Sequence, residues 1–172
     1  KYLKKRSEKE RNFNKPPSKN SYDFFIIIPA KAEHEYLPFL IESISKQNQK
    51  YLENCLVIIV INNSIKDVKK IIANNIKTIK YLNNTLFNFE LRYVDAATKN
   101  NELVEKKSGV GLARKIGGDL AIQYSNESSI LCYTDADSIL SNNYLKIIAE
   151  YYNKYNCGCA ILNFKHQKHK NP

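Results

Sequence analysis

Residues 55–64 read CLVIIVINNS, seven apolar residues followed by three small polar ones. A strand with one solvated face would alternate apolar and polar. A strand apolar throughout is buried on both faces, which is the habit of a parallel sheet covered by helices. The neighbours agree. On the amino-terminal side, DFFIII (23–28) is a second short apolar run, stopped by Pro29, and Leu37, Leu40, Ile41 and Ile44 then repeat at helical spacing with Pro38 tolerated in the first turn. On the carboxyl side, Val68, Ile71, Ile72, Ile79 and Leu82 mark a helix ending near Asn83 and Asn84, and FELRYV (89–94) reads as a third strand. A polar loop over 95–108 leads to Gly109-Val110-Gly111, which opens a helix carrying Leu112, Ile116 and Leu120. ILCYT (130–134) reads as a buried central strand. Leu145, Ile148, Ala149 and Tyr152 give the next helix, and CAILNF (159–164) reads as a fifth strand.

The order β-α-β-α-β-α-β-α-β predicts an α/β fold: a three-layer α/β/α sandwich on a mostly parallel open sheet. The expected boundaries are a basic polar arm or linker over 1–22, one domain over 23–164 and a basic tail over 165–172. Across 172 residues, 43% hydrophobic and 26% charged content is that of a globular chain, and no apolar run approaches the roughly 20 residues that span a bilayer. The net charge of +10 lies largely in KYLKKRSEKERNFNKPPSK (1–19) and KHQKHK (165–170). Such ends fit solvated arms, with peripheral contact to anionic membrane lipid or RNA as the second reading. No motif interleaves aromatic and basic residues, so no specific nucleic acid is expected. Tyr151, Tyr152 and Tyr155 read as a helix face packing on the sheet. Cys55, Cys132, Cys157 and Cys159 fit a reduced, cytoplasmic protein, and the spacing of Cys157 and Cys159 to His166 and His169 matches no zinc pattern. The chain has no Met and opens on Lys1, from which a longer parent protein is expected.

In an open α/β sheet, ligands bind beyond the carboxyl ends of the strands. Three polar clusters fall at such ends: Pro29 to Glu33, Asn62 to Asp67, and Asp135 to Asp137. A fourth, Gly109 to Arg114, enters the helix before the ILCYT strand. Asp135 and Asp137 read either as a turn or as ligands of a divalent metal, since side chains two apart in an extended segment share a side. Mg²⁺ or Mn²⁺ suits such carboxylates together with substrate phosphates. GVGLARK (109–115) offers backbone N–H groups at a helix start, with Arg114 and Lys115, to an anion. Gly117 and Gly118 inside that helix imply a close approach to the sheet or to a ligand.

Read together, FFIIIPAKAEHEYLPFLIESI, LVIIVINNSIKD, SGVGLARKIGGDLAI and ILCYTDADSILSNNYL resemble the family 2 glycosyltransferases of the GT-A fold, over about residues 23–164. The resemblance implies a hexosyltransferase-like enzyme that inverts the sugar it moves from a nucleotide-diphosphate donor to a saccharide, lipid or protein acceptor, with bacterial polysaccharide biosynthesis as its setting. The family's Asp-X-Asp motif falls on Asp135-Ala136-Asp137, with Asp137 as the main metal ligand and Asp135 near ribose or metal. The donor site implied comprises Pro29, Ala30, Glu33, Asn62, Asn63, Gly111, Arg114 and Asp135. Asn62 and Asn63 stand where many members carry Asp-Asp, and Asp67 matches a later family aspartate. The general base is expected beyond Pro172, in an acceptor-binding half. The rival readings are a haloacid-dehalogenase-type phosphatase, a nucleotidyltransferase and a non-catalytic nucleotide-binding remnant.

Overall fold

The computed structural model describes residues 2–7, 11–104, 108–155, 157–163 and 165. In chain order the elements are α1 (Tyr2–Arg6), β1 (Tyr22–Ala30), α2 (Leu37–Ser45), α3 (Gln49–Leu52), β2 (Cys55–Asn62), α4 (Lys69–Asn84), β3 (Glu90–Ala96), α5 (Val110–Ile122), β4 (Ser125–Tyr133) and α6 (Tyr144–Tyr155). The four strands form one sheet in the order β3-β2-β1-β4, and every pairing among them is parallel. The expected α/β/α sandwich is present. Phe24, Ile26, Ile28 and Ala30 of β1 face one apolar layer with Leu37, Leu40 and Ile44 of α2 and Leu145 and Ile148 of α6. Phe25 and Ile27 face the other, with Ala113, Ile116, Leu120 and Ala121 of α5. The apolar runs therefore reflect two buried faces, each at period two.

β1 runs through Pro29 and does not stop there, a correction with a specific cause. The Thr134 N–H donates to Ile27 O at 3.2 Å, which makes Ile27 a residue whose polar groups face β4. Pro29, two residues on, faces the same side, where β4 has already ended at Tyr133. Its missing N–H would have had no ladder partner, so proline is tolerated. The opposite edge of β1 pairs with β2 as far as Ala30 and Ile61.

Two further expectations fail. Residues 159–163 form no strand: Ile161 is 94% exposed, and Phe164 lies outside the described residues. Among the described residues no strand flanks β4 on its outer side, so it is an edge and not a central strand, and Ile130 and Leu131 are only half-buried. Residues 11–21, mostly exposed, nonetheless lie against the sheet. Asn14 N–H donates to Tyr93 O at 2.9 Å and Asn14 Oδ1 accepts the Tyr93 N–H at 3.0 Å. Arg92 Nε donates to Pro16 O at 3.0 Å, and the Ser18 N–H and Tyr22 hydroxyl donate to Glu90 at 2.6 and 2.7 Å. Rising residue numbers in the arm meet falling numbers in β3, so the arm lies antiparallel along the free edge and covers polar groups that would otherwise template aggregation. Of Tyr151, Tyr152 and Tyr155 on α6, Tyr152 alone packs on the core; Tyr151 and Tyr155 lie against each other outside it, ring centroids 4.7 Å apart and tilted.

Candidate functional site

The strand order fixes where a site belongs. Successive crossovers carry the chain from β1 to β2 to β3, and the next returns it across the sheet to β4 on the far side of β1. The crevice beyond the carboxyl ends of β1 and β4 is thus the switch point of the sheet, where loops diverge and leave room for a ligand.

From β1, the chain passes Lys31 and Ala32 to Glu33. Ala32 takes a left-handed backbone at φ 60°, uncommon for a residue with a Cβ, and its N–H is fixed by Asn75 Oδ1 at 2.9 Å. The Glu33 carbonyl accepts the N–H groups of Tyr36 and Leu37, at 3.1 and 2.9 Å, and so enters α2. Burial, then the charges of Asp137 and Asp135, push the Glu33 carboxyl above the usual carboxylate range. Three acidic groups therefore share one corner.

From β4, residues 135–138 form a turn closed by the Ser138 N–H on Asp135 O at 3.1 Å, so the two aspartates ride on a turn and not on an extended segment. Ala136 between them is 2% exposed while both aspartates are exposed. The turn is anchored to α2. Ser43 Oγ accepts the Leu140 N–H at 3.0 Å, and Gln47 donates to Ser141 O at 2.8 Å while accepting the Leu145 N–H at 3.2 Å.

From α5, Arg114 Nη2 donates to Asp135 Oδ1 at 2.5 Å. The two side chains are 39% and 58% exposed, so the pair contributes no more than about 1 kcal/mol to stability and matters for position. Arg114 Nε is buried with no hydrogen-bond partner among the described residues. Gly111 lies in the first turn of α5, with open space where a Cβ would be. Gly117 and Gly118 serve the sheet: a Cβ at Gly117 would stand 2.5 Å from Ile27 Cγ2, and one at Gly118 would meet the Tyr133 hydroxyl.

The remaining predicted residues are placed differently. Pro29 and Ala30 are buried within β1. Asn62 is 1% exposed and donates to Ser108 O at 3.2 Å, which ties the end of β2 to the entry of α5. Asn63 is fully buried, its amide joined to Ser64 O and to Asn75 Nδ2, at 3.2 and 2.9 Å. Both are structural amides that hold strand end, α4 and the Ala32 turn together. Asp67 precedes α4, accepts the Ser64 N–H at 2.6 Å and pairs with Lys31 at 2.7 Å. Two residues that sequence reasoning passed over organise this region: Asn75, which bonds Ala32, Asn62 and Asn63, and Lys31. The signal for Asn75 was present, an amide among Ile71, Ile72 and Ile79 on one face of a helix.

Among the described residues no group of three or more His, Cys, Asp or Glu is disposed to hold a metal ion. The pair Asp135 and Asp137 still fits Mg²⁺ or Mn²⁺, which take hard oxygen donors from one or two carboxylates and complete the shell with water and substrate phosphate. All four cysteines are free; Cys55 and Cys132 are buried, and burial pushes the Cys132 thiol up to about 12. His166 and His169 lie outside the described residues. No helix of the described residues is long and apolar enough to cross a membrane. A hollow of about 400 Å³ lined by Ala32, Glu35, Tyr36, Lys70, Ile71 and Asn74 adjoins the Glu33 loop on its α4 side, and contains none of Glu33, Arg114, Asp135 and Asp137.

Comparison with solved structures finds the same architecture in S. aureus TarS 1–349, at TM-score 0.50 and 18% identity, covering 78% of this chain and 33% of that one. The same TarS segment in complex with UDP-GlcNAc gives 0.51 at 18% identity, covering 78% and 32%, and in complex with UDP 0.50 at 19%, covering 78% and 33%. This chain spans about a third of the length of those solved chains, and at such identity the likeness speaks for the fold. No curated protein matches the chain. The model of the family described as Glycosyl transferase family 2 matches residues 25–172, all but the arm and the start of β1, and the chain belongs to that family.

Proposed function

We propose that this chain forms the donor-binding part of a glycosyltransferase that takes a nucleoside-diphosphate sugar together with a divalent cation and transfers the sugar, with inversion, to a saccharide, lipid or protein acceptor. The observation that carries this reading is the meeting of Glu33, Arg114, Asp135 and Asp137 at the β1/β4 switch point in a member of this family. Asp135 and Asp137 would hold Mg²⁺ or Mn²⁺, which when bound neutralises charge on the departing diphosphate. Arg114 and the N–H groups at the start of α5 supply further positive potential for phosphate. The buried amides Asn62, Asn63 and Asn75 keep the strand ends and the Ala32 turn fixed, so the acidic corner is preorganised before ligand arrives.

The TarS segment is solved with UDP-GlcNAc and with UDP, which makes a UDP-sugar the first donor to test. Calorimetric titration of UDP-GlcNAc should show binding with Mn²⁺ present and a collapse of binding in chelator, because phosphates and carboxylates without a cation repel one another. Equal affinity in chelator would remove the metal from the reading.

A further inference from the structure

The Arg114–Asp135 pair places a cation where the proposed donor site calls for a different one. With Nη2 2.5 Å from Asp135 Oδ1, the guanidinium occupies one face of the carboxylate that a divalent ion would use, and an ion brought to that face meets like charge. The arrangement is lopsided. Nη2 is satisfied, while Nε is buried without a hydrogen-bond partner among the described residues. A guanidinium prefers to use its fork on two oxygens at once, and a diphosphate near the start of α5 offers that. Both partners reach solvent, so the pair is able to open. Glu33 and Asp137 stand in the same corner and add to the negative potential around Asp135.

We propose that Arg114 is the resident counter-cation of Asp135, excluding a divalent ion until a nucleoside diphosphate draws the guanidinium away, so that nucleotide and cation load cooperatively. This rests on the donor-site reading given above. The linkage is reciprocal: whatever factor the nucleotide adds to cation affinity, the cation adds to nucleotide affinity.

The test measures Mn²⁺ binding to the 172-residue chain by the loss of the free-ion paramagnetic resonance signal, with and without UDP as the probe nucleotide. Arg114→Gln should bind Mn²⁺ alone on the order of 5- to 150-fold more tightly than wild type, and the enhancement that UDP produces in the wild type should shrink correspondingly. Arg114→Lys, which keeps a charge without the fork, should fall between. Adding Asp135→Asn to Arg114→Gln should abolish the gain, which separates release of Asp135 from a general change in charge. A thermal transition retained by each variant establishes that it is folded. If Arg114→Gln binds Mn²⁺ alone no more tightly than wild type, while both bind it with UDP, the gate is overturned and the donor site stands. If the wild type binds no Mn²⁺ even with UDP, the donor-site reading falls and the gate falls with it.

Discussion

Glu33 carries the acidic group whose titration reports on the corner as a whole. Its carboxyl is raised by burial first and by Asp137 and Asp135 next. A carboxyl raised in the folded state contributes most at low pH, below its unfolded value of about 4.3, and that contribution is lost as pH rises through the folded value. Replacing Glu33 by Gln should therefore raise the melting temperature of the metal-free chain at pH 7 and leave it unchanged near pH 4. The gain should stay below about 1 kcal/mol, because the group is partly solvated and its neighbours are screened. Asp137→Asn should weaken UDP binding in Mn²⁺ by about tenfold or more, whereas Asp67→Asn should change it less than about threefold, since Asp67 is engaged with Lys31 and the Ser64 amide. The reverse order in calorimetry would exchange their roles. Glu33, Arg114, Asp135 and Asp137 were legible in the sequence because each lies in a polar cluster beside an apolar run. The burial of Asn63 was not, because its partner Asn75 is supplied by a helix one element further on and only packing brings the two together.

At the scale of elements, α5 shows why glycines sit inside a helix. Gly117 faces Ile27 and Val60 of the two central strands, and a Cβ there would be 2.5 Å from Ile27 Cγ2 and 3.3 Å from Val60 Cγ2. Alanine would add about 1 kcal/mol of helix propensity. Overpacking against β-branched side chains in fully buried strands costs about 1–3 kcal/mol, and the backbone has little room to give. Gly117→Ala should be net destabilising in a denaturant melt; a neutral or stabilised variant would mean that α5 sits further from the sheet. The same packing explains what the sequence reveals of the fold. The two-faced apolar runs at 23–28 and 55–61 and the periodic helices between them are visible because burial on both faces leaves nothing else there. Strand ends are less visible. β1 continues through Pro29 since the lost N–H faces a side where β4 has ended, and only the sheet order reveals that side. The apolar segment at 159–163 has the composition of a strand but no pairing partner among the described residues, and composition does not report pairing.

For the whole molecule, the question is how much of a transfer reaction these residues can perform. The net charge of +10 does not describe the corner where Asp135 pairs with Arg114 and Glu33 senses both Asp135 and Asp137. Part of the arm's basicity is used on the protein itself: Arg11 donates to Asn101 O at 2.6 Å and Lys19 to Glu53 O at 2.5 Å, which lies against the reading of the arm as a nucleic-acid contact. Inverting transfer needs an acceptor hydroxyl held in line with the anomeric carbon and a base to take its proton. Two carboxylates that deserve scrutiny as that base are already committed. Asp119 is buried in α5, accepting the Tyr2 hydroxyl at 2.9 Å and pairing with Lys115 at 2.5 Å, and Asp67 is paired with Lys31. Glu33 stands beside Asp135 and Asp137, where a donor's diphosphate is expected rather than an acceptor. We therefore expect the 172-residue chain to bind donor and to release UDP slowly to water, with transfer to added saccharide acceptors lower by about 10²- to 10⁴-fold than an enzyme with a positioned base would give. A coupled assay for UDP release, run beside chromatography of the acceptors, distinguishes the two events. Rapid transfer that survives Asp67→Asn and Asp119→Asn but not Glu33→Gln would make Glu33 the base and would move the acceptor into the corner assigned here to the donor.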